Sequence, residues 1–141
     1  MPAQARPRRR ATATRPPRGF DARTLAAIHR DRILGIRAGT RPHRFIGVWV
    51  VVAERRVFVR SWSVKPDGWF RTFAAEPVGA VQVGGRTLAV RVVRTRSERL
   101  KAAVDRAYRD KYKTPGALRY VADLCRAKSK ATTTELVPIA R

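Results

Sequence analysis

Arg60, Ser61, Trp62, Lys65, Trp69 and Arg71 crowd into one short stretch near the middle of the chain, within "VFVRSWSVKPDGWFRTFAAEP". The β-branched and aromatic run 56–62 reads as a strand, and the turn Lys65-Pro66-Asp67-Gly68 follows it. Side chains alternate along a strand, so Phe58, Arg60 and Trp62 share one face while Val57, Val59 and Ser61 share the other. A guanidinium beside a hydroxyl is a donor set suited to a phosphate, and tryptophan rings make a stacking wall. An equally direct reading turns Arg60 to solvent with its aliphatic stem over a ring. Residue types alone leave both open.

Other chemistry has less to work with. His29 falls on an expected helix and His43 in a loop between arginines, neither at a metal-ligand spacing nor within a nucleophile motif. There is no phosphate loop, and Gly84-Gly85 reads as a hairpin turn. Asp67 and Glu76 border the aromatic turn without pairing as acid and base. The single cysteine, Cys125, excludes an internal disulfide and fits a reducing, cytoplasmic setting. Tyr108, Lys111 and Tyr112 lie together near a helix end, where lysines also complement the helix dipole.

Charge sets the class of partner. Thirty-two basic residues against 10 acidic ones give a net charge of +22, which attracts polyanions, nucleic acid first among them. Twenty-six of the basic residues are arginine, a bias that a GC-rich genome also produces. Residues 1–19 carry six arginines, four prolines and no acid, and read as a disordered basic tail ahead of one domain, 20–141. The longest apolar run, 45–53, is too short to cross a membrane as a helix.

The expected elements are a helix 22–30 capped by Asp21, strands 32–38, 45–53 and 56–62, and a helical turn 69–75. Strands 78–83 and 86–95 follow. A helix begins after Ser97, with Leu100, Val104, Ala107, Tyr108 and Lys111 on one face. A second starts at Pro115, with Leu118, Val121, Ala122 and Cys125 aligned, and a last strand spans 132–140. This order describes an α+β domain whose strands roll into a barrel flanked by helices.

Three stretches, "WVVV…RVFVRSW…GWFRTFA", "AYRDKY" and "ATTTELVP", together resemble the DUF2255 family of bacterial proteins over roughly Phe20 to Pro138. That family is similar to the FMN-binding split-barrel group, which includes flavin- and deazaflavin (F420)-dependent reductases. The resemblance implies a split β-barrel of about six mostly antiparallel strands, a homodimer, and FMN or F420 as cofactor. It places Arg60, Ser61, Lys65 and Trp69 at the cofactor phosphate, with Arg71 and Arg41 as supporting cations. Trp49, Trp62 or Trp69 would stack on the ring. The chain departs from the deazaflavin pattern at Thr72, where asparagine is usual, and in 39–44, where a Gly-Arg-x-Ser-Gly segment is usual.

Three functional expectations follow. The first is a cofactor-binding barrel acting as an oxidoreductase. The second is a nucleic-acid-binding protein without catalysis, in which Phe58, Trp62, Trp69 and Phe70 stack bases. The third is a barrel without a ligand. On the first, Arg60→Ala abolishes binding at little cost in stability.

Overall fold

A computed structural model describes residues 19–62 and 68–139. Most of the expected basic tail, residues 1–18, lies outside the described residues, as does Lys65.

Helix α1, Ala22–Arg30, opens where the Asp21 carboxylate accepts the Thr24 N–H at 2.8 Å. Strands β1 (Ile33–Ala38), β2 (Ile46–Ala53) and β3 (Arg56–Val59) follow, then helix α2, Trp69–Ala75. Next come β4 (Val78–Val83), β5 (Arg86–Arg94), α3 (Glu98–Lys111), α4 (Pro115–Leu124), a short α5 (Ala127–Lys130) and β6 (Thr134–Pro138). The strands close as β1-β2-β3-β6-β5-β4, with every ladder antiparallel, the six-stranded α+β barrel expected.

Turn chemistry sets both tight hairpins. Gly84 and Gly85 adopt φ of 55° and 82°, the left-handed pair that a two-residue hairpin needs. Glu54 and Arg55 adopt the same conformation, at 53° and 63°, without glycine's freedom. Arg99 of α3 grips the Glu54 carboxylate through two nitrogens and so holds this turn against the helix.

Alternation along the strands sorts the core into two layers. Ile36, Val50, Val57, Val59, Val81, Val90 and Leu136 fill the barrel, with Leu25 and Ile28 of α1 and Phe73 of α2 packed into the same cluster. On the outer face, Val51 and Phe58 meet Leu100, Val104, Tyr108 and Tyr112 of the α3 segment. Each fully buried ring or branched side chain contributes about 1.5–3 kcal/mol by leaving water.

Two local readings change. The strand expected over 56–62 leaves its ladder after Val59, because the Ser61 N–H donates to Thr132 Oγ1 at 2.8 Å instead of to a neighbouring strand. In α4 the buried face is Ala117, Val121 and Leu124, while Leu118 and Ala122 point outward and Cys125 is half-buried. Both sets fit a helical period; what selects between them is the fixed position of α3 against which α4 packs.

Candidate functional site

Four aromatic side chains from four segments converge beside the end of β3. Trp49 projects from the outer face of β2 and stacks on Tyr112, ring centroids 4.1 Å apart and planes 2° from parallel. Trp62 follows β3 and donates its indole N–H to Asp123 at 3.2 Å. Tyr120 of α4 meets both rings edge-on, at 6.1 Å from Trp49 and 6.0 Å from Trp62. Trp69 opens α2 and packs edge-on against Phe70 and Phe73. With Gly47, Val48, Leu124 and Arg60 these four line a pocket of about 350 Å³.

Tyr112 is the anchor of this wall. Its hydroxyl accepts the Val50 N–H at 3.0 Å and donates to the Arg32 carbonyl at 2.6 Å, and burial pushes its pKa up to about 12. The Arg32 guanidinium lies over both stacked rings, 5.4 Å from Tyr112 and 5.6 Å from Trp49. A side chain so tethered fixes the plane of Trp49.

The Arg60 side chain is turned into the protein and exposes nothing to solvent. Nε donates to Thr133 Oγ1 at 2.8 Å, and one terminal nitrogen donates to Asp105 Oδ1 at 2.5 Å and to the Leu124 carbonyl at 3.0 Å. The other donates to the Lys101 carbonyl at 3.0 Å. Four of its five N–H groups are therefore engaged inside the protein. The guanidinium neither faces solvent nor reaches toward an outside phosphate. It binds β3 to α3, α4 and the start of β6.

Asp105 completes this junction, accepting also from Lys130 Nζ at 2.8 Å. Burial alone would raise its carboxyl pKa, but hydrogen bonds from Lys130 and Arg60 outweigh that and hold it below the usual value. Ser61 is buried beside Thr132, its backbone N–H donating to that hydroxyl.

The remaining expected site residues separate. Trp49, Trp62 and Trp69 share the aromatic pocket. Arg41 lines a neighbouring cavity of about 550 Å³, whose walls include His43, Ile46, Thr72 and Glu76 and which shares Trp69 with the first. Arg71 is exposed on α2 and lines neither cavity. The sequence pattern alone does not single out Tyr120; its signal is a large ring and Leu118 standing on a helix face otherwise polar or small. Asp105 carried no signal, being one acid among many charges on α3.

Among the described residues no group of three or more His, Cys, Asp or Glu is placed to hold a metal ion, and no helix is long and apolar enough to cross a membrane.

The fold and pocket together define a six-stranded antiparallel barrel with an aromatic-walled site at a strand end. The chain belongs to the DUF2255 family, uncharacterized proteins conserved in bacteria, whose pattern matches residues 24–136. Its fold is similar to the crystal structure of conserved hypothetical protein Rv2991 from Mycobacterium tuberculosis, with a TM-score of 0.55 and 11% identity. That likeness covers 86% of this chain and 81% of the other. No curated protein matches the chain in sequence.

Proposed function

We propose that the aromatic pocket receives the flat ring of a phosphate-bearing cofactor, FMN or the deazaflavin F420. The observation that carries this reading is the convergence of Trp49, Trp62, Trp69 and Tyr120 on one pocket where, among the described residues, the one charged lining residue, Arg60, has its side chain fully buried. Such walls suit a planar ring better than a compact polar substrate. When bound, the ring supplies hydride or electron transfer, which makes an oxidoreductase the associated activity. This chain's part is to stack the ring, to exclude water from its face, and to draw an anion in through its +22 charge.

The phosphate needs a cation other than Arg60. Arg41 lines the adjoining cavity, which shares Trp69, and this supports it as that cation. Trp62 at 61% exposure, with Tyr120 and Ile33 also exposed, forms an apolar rim that supports the homodimer reading, a second copy sealing the pocket mouth. The same exposed rings on so basic a protein favour a second function, the stacking of nucleic-acid bases.

Thermal shift with FMN, F420 and a short oligonucleotide, each at low and high salt, separates these readings. A ligand at 100 times its dissociation constant stabilises by about 2.7 kcal/mol. A shift with FMN or F420 that survives salt supports the cofactor. A shift with the oligonucleotide alone, lost at high salt, supports nucleic acid. Absence of any shift leaves a barrel without a ligand.

A further inference from the structure

A second feature lies beside Tyr112, whose ring centroid is 5.4 Å from Lys111 Nζ. Lys111, the last residue of α3, places Nζ 2.8 Å from the Val50 carbonyl and 3.0 Å from the Ile28 carbonyl. It forms no ion pair with a carboxylate among the described residues. Lys101 and Lys130, by contrast, are paired with Glu98 and Asp105, and Lys113 and Lys128 are exposed. Lys111 borders a cleft of about 300 Å³ with an apolar floor of Val51, Ala103 and Ala107. Around it stand His29, Arg106, Asp110 and Glu54, the last paired with Arg99.

We propose that Lys111 is a nucleophilic lysine that condenses with small uncharged aldehydes entering this cleft. A neutral amine has two N–H groups and one lone pair, and the two carbonyls occupy both donors. The lone pair is then left in the remaining tetrahedral direction, away from both oxygens. Burial disfavours the ammonium and brings the pKa down to about 8, so near that pH a large share of the group is amine. The apolar floor suits a small uncharged electrophile. In the reaction the amine nitrogen bonds to the aldehyde carbon, and the carbonyl oxygen leaves as water with the two amine protons. The product is an imine, and no oxidant or reductant is consumed.

Propanal and sodium cyanoborohydride at pH 8, applied to the full chain, trap the imine by hydride transfer as a secondary amine. Peptide mass mapping then ranks the lysines. The expected result is modification of Lys111 about tenfold faster than exposed Lys113 and Lys128. Modification of Lys111 at or below their rate overturns the proposal and leaves the side chain as a clasp between two carbonyls. Lys111→Arg removes the fast-reacting site; its persistence on another lysine in that variant also overturns the assignment.

Discussion

Arg60 and Asp105 face each other at 2.5 Å beneath the aromatic pocket, tying the end of a barrel strand to the middle of α3. Thr133 takes the third side of the guanidinium, and the Tyr108 ring lies 5.8 Å from it. The three stretches that mark the family therefore meet at one place. "RVFVRSW" supplies the arginine, "AYRDKY" the ring, and "ATTTELVP" the hydroxyls that receive Arg60 Nε and the Ser61 N–H.

Arg60→Ala should destabilise the fold by about 3 kcal/mol, because it leaves two carbonyls without their donor and a buried carboxylate with Lys130 as its remaining cation. Urea denaturation reads this as a lowered midpoint. A variant as stable as the parent would return Arg60 to a role in ligand binding.

Trp62→Ala should behave in the opposite way. The ring is 61% exposed and is held by one hydrogen bond to Asp123 and an edge contact with Tyr120, so stability should change by less than about 1 kcal/mol. Binding of a ring ligand measured by tryptophan quenching should weaken by about tenfold, the scale of a lost stacking contact. Unchanged affinity would place the ligand elsewhere.

Tyr112→Phe removes a hydroxyl that satisfies the buried Val50 N–H and fixes the plane of Trp49. The expected cost is about 1–3 kcal/mol. Calorimetry measures it, and near-ultraviolet dichroism should lose part of the Trp49 signal.

Stability should pass through a maximum in alkali. Between about pH 8 and the usual lysine range, the unfolded chain keeps a proton that folded Lys111 has released, so stability rises with pH. Above about pH 10 unfolded tyrosines ionise, whereas burial keeps Tyr108 and Tyr112 neutral in the fold, so stability falls. Denaturant midpoints from pH 7 to 11 test this, and Lys111→Met should flatten the rising limb alone.

Arg55→Gly should stabilise the protein by about 0.5–1 kcal/mol, since φ of 63° costs an arginine what it does not cost glycine. A thermal melt suffices to check it; a lower midpoint would mean that the arginine side chain holds the turn by contacts of its own.

Much of the architecture was legible because its causes are local. Asp21 caps the first helix, Gly84-Gly85 turns a hairpin, and the alternation through 46–53 and 78–94 marks strands, each decided by residues within a turn of one another. The aromatic character of the stretch after β3 was legible too, in the spacing of Trp62 and Trp69. The partner of Arg60 was not. Its carboxylate stands 45 positions away and its hydroxyl 73, on elements whose own patterns say only that they are a helix and a strand. The guanidinium is held inside because the packing of α3 on the barrel brings Asp105 to it and the approach to β6 brings Thr133. The same holds for Tyr120, which joins Trp49 and Trp62 only once α3 has fixed how α4 lies. Local preference determined the elements; the long-range packing of charge and rings decided which of them became the pocket's wall and which its support.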